Sequence, residues 1–161
     1  MPAFSVNTRK VPLVSCQPSS HNRRSMKTLM VDFDGVLHPT SGGQFFSRLP
    51  LLEDALSGYE CDIVISSSWR YHHSLQEWVE RFPETLRRSV VGTTGPPHIG
   101  KWPRYQECLN YCKANGVSEW RALDDSFLEF PNPCKELILC NPNTGIDAKQ
   151  LAALKQWLEH D

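Results

Sequence analysis

Three short apolar runs, "KTLMVDF" (27–33), "CDIVISS" (61–67) and "EWRALDD" (119–125), constrain the fold of this chain more than any other feature. The first two are apolar without alternation, as expected of strands covered on both faces. Each run then stops abruptly in carboxylates or hydroxyls. Two further runs, "RSVVG" (88–92) and "KELILC" (135–140), also read as strands. Between the runs lie helical patterns at 49–58, 71–82, 103–116 and 147–160. The second carries Leu75, Trp78, Val79 and Phe82 at helical spacing and stops before Pro83. The third opens on Pro103 and closes on Asn115-Gly116, while the fourth lines up Leu151, Leu154, Trp157 and Leu158. Residues 38–50 read as loop or hairpin, with Phe45 and Phe46 their apolar pair.

Apolar strands alternating with helices predict an α/β fold with a mainly parallel sheet and helices on both faces. In such sheets, chemistry gathers at the carboxyl ends of the strands. A length of 161 residues fits one domain with a real core. The net charge of −1 conceals an uneven distribution. Residues 1–31 hold Arg9, Lys10, Arg23, Arg24 and Lys27 and no acid, so the remainder is acidic. Residues 1–25, rich in Ser, Pro and Asn, are expected to be a disordered basic arm ahead of a domain at 26–161. The arm reads as a nucleic-acid-binding tail, a weak transit peptide or sequence upstream of a natural start at Met26. No apolar run approaches the roughly 20 residues that span a bilayer, and no secretory segment appears, so the expected location is the cytoplasm. Six cysteines are scattered without a CxxC pair. Cys108 and Cys112, four apart, are expected to be buried thiols on one helical face.

The run ends supply a coherent chemistry. Asp32 and Asp34, two apart on a strand, are expected to face the same way. Gly35 lets the chain turn without a Cβ in the pocket. Ser66 to Ser68 follow the second run, and Asp124 and Asp125 end the third. Carboxylates at close range repel one another unless a cation or shared protons intervene. A hard oxygen cluster with room for water suits Mg2+. Beside it, one carboxylate can attack phosphorus, another can move the proton, and a hydroxyl with a Lys or Arg can hold the phosphoryl oxygens.

In this order and context, "LMVDFDGVL", "DIVISSS" and "RALDDS" resemble the first, second and fourth motifs of the haloacid dehalogenase-like (HAD) phosphohydrolase superfamily. "ISSSWR", "RALDD" and "LCNPNTGID" further resemble a small bacterial branch whose relatives are joined to RNA-repair proteins. The resemblance implies a Rossmann-like three-layer core reaching the end of the chain. It implies Asp32 as nucleophile and Asp34 as general acid/base. For Mg2+ it implies the Asp32 and Asp124 carboxylates, the Asp34 backbone carbonyl, and Asp125 directly or through water. Ser67 or Ser66 would bind phosphate, with Ser67 favoured. The basic third motif is left among Lys101, Arg104 and Arg70, the last also read as a surface residue capping a helix.

The gaps 38–64 and 70–100 leave no room for a large cap domain. By analogy, an open site suits macromolecular phosphates such as polynucleotide ends or phosphoproteins. The implied function is a Mg2+-dependent phosphatase working through an aspartyl-phosphate on a phosphorylated substrate. The alternatives are a catalytically silent HAD-like module or a phosphotransferase. A nucleic-acid partner is favoured by the basic arm and opposed by the acidic core. His38 reads as a solvated loop residue and His72 and His73 as exposed. The five tryptophans read as packing residues, Trp102 being the one nearest the expected site.

Overall fold

The computed structural model describes residues 26–160. The expected arm at 1–25 lies outside the described residues, as does Cys16. In chain order the elements are β1 (Lys27–Val31), α1 (Leu49–Leu56), β2 (Cys61–Ile65), α2 (Leu75–Arg81), α3 (Glu84–Arg87), β3 (Val90–Thr93), α4 (Pro103–Asn115), β4 (Trp120–Asp124), β5 (Leu137–Leu139) and α5 (Ala148–Glu159). One-turn 3-10 segments at Ser68–Tyr71 and Phe127–Glu129 follow β2 and β4.

The strands form one sheet in the order β3-β2-β1-β4-β5, with every pairing parallel. This is the small Rossmann-like α/β core expected of the sequence. β1 lies at the centre, with Val31 opposite both Ile65 and Leu123. Its side chains alternate between two apolar layers. Leu29 and Val31 join Ile63, Ile65 and Leu123 beneath α1, α2 and α5. Met30 joins Val64, Ala122, Trp120 and Phe130 beneath α4, which contributes Cys108 and Cys112. Both faces are therefore dry, which explains the continuous apolarity of the first two runs. Cys108 and Cys112 are buried free thiols, and burial pushes the Cys108 thiol well above its ordinary value.

The strands are shorter than the apolar runs because the chain turns as soon as its side chains become polar. The helix expected from residue 71 starts at Leu75. Ser74 and Glu77 form a capping box there, and the preceding residues make the 3-10 turn instead. His72 and His73 are exposed, as expected. Residues 84–87, ahead of the expected third strand, form one helical turn after Pro83. No helix among the described residues is long and apolar enough to cross a membrane.

Candidate active site

The site lies where β1, β2, β3 and β4 reach their carboxyl ends. Asp32 follows β1 directly, and its N–H donates to Leu123 O of β4 at 3.1 Å. Ser66 follows β2, with its N–H donating to Val31 O at 3.0 Å. Asp124 is the last residue of β4 and is fully buried, and Asp125 follows half-buried. Carboxylate oxygens of Asp32, Asp124 and Asp125 come within 4.8 Å of one another.

Gly35 makes this approach possible. Its φ is +68°, and a Cβ there would fall 2.2 Å from Asp125 Oδ2. Any other residue would both strain the turn and occupy the space that Asp125 needs. Burial first, and the Asp32 charge second, push the Asp124 carboxyl well above its ordinary range. Burial followed by Asp32 also raises Asp125. Asp124 Oδ2 is buried and has no hydrogen-bond partner among the described residues, while Oδ1 accepts from Ser126 N–H at 2.9 Å. Three hard oxygen donors, one of them without a hydrogen bond, fit a divalent cation such as Mg2+.

The counter-charge present in the chain is Arg104, projected from the first turn of α4. Its Nη1 lies 3.5 Å from both Asp32 Oδ1 and Asp124 Oδ2 and donates to Ser66 O. Burial works against this cation. The surrounding charges of Asp32, Asp124, Glu129 and Glu107 outweigh burial and hold the guanidinium firmly protonated. Of the three basic candidates, Arg104 alone stands against the carboxylate cluster. Lys101 is exposed and lies over the Trp102 ring, 4.2 Å from its centroid. Trp102 itself is half-buried at the N-terminus of α4 with φ +54°.

Arg70 departs from the expected surface role, for it is buried. Its Nη1 donates to Ser66 O at 2.7 Å and Ser67 O at 2.9 Å, and its Nε donates to Thr94 O at 3.0 Å. Its Nη2 donates to Glu107 Oε2 at 2.9 Å. Glu107 Oε1 in turn accepts the His98 N–H at 3.0 Å. Arg70 therefore laces the turns after β2 and β3 to α4, and it is Glu107 that makes its burial tolerable.

The serines differ in their partners. Ser67 Oγ accepts a 3.4 Å bond from Trp69 N–H and caps the 3-10 turn. Ser66 Oγ is buried with no partner among the described residues. Both hydroxyls therefore keep an O–H to donate, Ser67 while accepting from Trp69 and Ser66 with no partner among the described residues.

Asp34 lies outside the three-carboxylate group, although its charge is among those acting on Asp125. Its Oδ2 accepts Trp69 Nε1–H at 2.7 Å, and its Oδ1 is 3.0 Å from His38 Nε2. His38 is only 3% exposed, contrary to the expectation of a solvated loop residue. Its ring sits in an aromatic cage of Phe45, Phe46 and Trp69 with centroids 5.1 to 5.6 Å away. The one available signal for this pair was spacing: His38 follows Asp34 by four residues across the Gly35 turn, which brings the chain back on itself.

A family model described as the HAD domain in Swiss Army Knife RNA repair proteins matches residues 28–151, from β1 into α5. No curated protein and no solved structure matches the chain. With the match covering all of the sheet but Lys27 and every residue of the site just described, the chain belongs to the family of HAD domains of Swiss Army Knife RNA repair proteins.

Proposed function

We propose that this protein is a Mg2+-dependent phosphatase that hydrolyses phosphomonoesters through an aspartyl-phosphate on Asp32. The observation that carries the reading is the meeting of Asp32, Asp124 and Asp125 within 4.8 Å beside Arg104, at the carboxyl end of the central strands. A divalent cation bound by these carboxylates, with the Asp34 carbonyl, would supply charge neutralisation for the incoming phosphate.

The chain's own groups do the rest. Asp32 attacks phosphorus, with the ester oxygen departing opposite. Arg104, 3.5 Å from Asp32 Oδ1, orients that carboxylate and meets the phosphoryl oxygens. Ser66 or Ser67 Oγ donates to one of those oxygens. Asp34 gives its proton to the leaving oxygen, then takes one from the water that releases phosphate from Asp32.

We further propose a phosphorylated nucleic-acid end as the substrate class. Two features support it: the family's association with RNA repair proteins, and the short 38–48 segment as the cover beside Asp34. The test is phosphate release by the full chain from a panel of small phosphomonoesters and 3′- or 5′-phosphorylated oligonucleotides, with and without Mg2+. The expected result is Mg2+-dependent turnover, fastest on an oligonucleotide and abolished in Asp32→Asn. Full activity in Asp32→Asn would end the nucleophile assignment, and a preference for small esters would end the substrate class.

A further inference from the structure

The environment of Asp34 assigns a role to two residues that lie outside the carboxylate cluster. Both oxygens of its carboxylate are engaged, Oδ2 by the Trp69 indole N–H at 2.7 Å and Oδ1 by His38 Nε2 at 3.0 Å. The direction of the second bond follows from the far side of the imidazole. His38 Nδ1 accepts the backbone N–H of Phe46 at 3.4 Å, so it carries the lone pair and the ring proton resides on Nε2. His38 Nε2 thus donates to Asp34, and the two donors approach the carboxylate from separate elements.

Neither donor is free to drift. His38 is buried against Phe45 and Phe46. Trp69 lies in the 3-10 turn after β2, edge-on to Phe33 at 5.9 Å and to Phe45 at 5.3 Å. Asp34 itself keeps 47% of its side chain exposed. A carboxyl group pinned at both oxygens yet open to solvent on its outer edge has a fixed plane and free lone pairs facing outward. A proton donor to an incoming ester needs that combination.

We propose that His38 and Trp69 are positioning residues that aim Asp34 as general acid, and that this aim fits the site to phosphomonoesters of poor leaving groups, the alkyl alcohols. The inference rests on the hydrolase reading above. In the first step, the Asp32 oxygen bonds to phosphorus as the ester P–O bond breaks. The leaving oxygen takes the electron pair together with the Asp34 proton. In the second, water oxygen bonds to phosphorus, the Asp32–phosphorus bond breaks, and the water proton returns to Asp34. An alkoxide leaves poorly without the proton, whereas p-nitrophenolate leaves readily with none. Misaiming Asp34 therefore harms the first class selectively.

The test compares kcat/KM, which reports the first step, on an alkyl phosphate and on p-nitrophenyl phosphate. Trp69→Phe keeps a ring in the aromatic cage but removes the indole N–H. His38→Phe removes the other donor, and His38→Gln places an amide N–H in reach of Oδ1. Trp69→Phe and His38→Phe are expected to lose about 30- to 100-fold on the alkyl ester and about 3-fold or less on the aryl one. His38→Gln is expected to recover most of the alkyl activity. Loss of equal size on both esters, or no loss on the alkyl ester, overturns the role of the pair, provided Asp34→Asn is inactive on the alkyl ester. A wild-type chain inactive on both esters overturns the hydrolase reading and this inference with it. Melting temperatures and the shift induced by Mg2+ identify any variant that has not folded, and His38→Gln then decides the matter.

Discussion

The central strand β1 carries a charge at each end, and the chain treats the two differently. At the entrance, Lys27 donates to Trp157 O at 2.8 Å, Leu158 O at 3.1 Å and His160 O, the carbonyls where α5 runs out. Glu119 stands 3.8 Å away and the Trp157 ring 5.7 Å away. That cation meets the negative end of a helix, an acid and an aromatic face, all supplied by the chain. At the exit, Asp32 meets two further carboxylates, one of them with a buried oxygen that has no hydrogen bond, and a single arginine among the described residues. One end is complete and the other is left in deficit. A deficit of this kind, held in place by a rigid sheet, is what the proposed divalent cation would neutralise.

Arg104→Gln attacks the contrast where it is sharpest. The variant leaves three carboxylates at close range with no facing cation and strips Ser66 O of a donor. Breaking a buried charge arrangement by removing one partner costs on the order of 3 kcal/mol. Thermal melting without metal should show that loss, and turnover should fall about 100-fold. Mg2+ should restore much of the stability and little of the turnover. If turnover survives, Arg104 only balances charge, and the exit end resembles the entrance more than its geometry suggests.

Gly35→Ala probes the same end through the backbone. The added Cβ would sit 2.2 Å from Asp125 Oδ2 at a φ of +68°. Strain and displaced carboxylate together should cost about 2 kcal/mol and weaken Mg2+ binding at least tenfold. The Mg2+ dependence of the melting temperature reads both effects. An unchanged Mg2+ response would remove Asp125 from the metal set.

The two ends were not equally legible in the sequence. Strand ends and helix order could be read because the buried runs are apolar, and a change to Asp or Ser marks each end. The acids of the cluster stand where two of those strands end, Asp32 just past β1 and Asp124 as the last residue of β4, so their convergence follows from a parallel sheet. Contacts that depend on distant segments were hidden. Arg70 finds Glu107 across 37 residues, and nothing local to "SSSWR" announces the burial of that pair. His38 is dry only because Phe45, Phe46 and Trp69 fold over it. The Asp34 contacts were hidden in the same way, since Trp69 lies 35 residues along the chain.

Asp124→Asn tests the deficit by removing it. Burial first, and Asp32 next, raise the Asp124 carboxyl to about 8 in the metal-free fold, against 3.8 ordinarily. A carboxyl raised on folding favours the protonated protein, so its contribution is fully present below about pH 4 and is lost as pH rises towards about 8. Near pH 8 the neutral, isosteric Asn should therefore stabilise the metal-free protein by about 1 to 3 kcal/mol and flatten the dependence of melting temperature on pH. The same variant should lose the stabilisation that Mg2+ gives the wild type. A destabilised Asn variant near pH 8 would mean that the Arg104 attraction, not burial, governs this carboxyl.

Lys27→Met makes the smallest change, and it tests the other half of the contrast. Methionine keeps the apolar stem and removes the cation, leaving the terminal carbonyls of α5 and Glu119 without their shared donor. A cation at a partly buried helix C-terminus contributes about 1 kcal/mol, a shift of only a few degrees in melting temperature for a domain of this size. Catalysis, a full strand length away, should keep kcat/KM within about twofold, because the loss of a self-contained surface network does not tilt a sheet packed on both faces. A fall in turnover beyond what the melting curve explains would mean that β1 transmits strain from entrance to exit. The two ends would then be one coupled system, and the separation of structural charge from functional charge along this strand would fail.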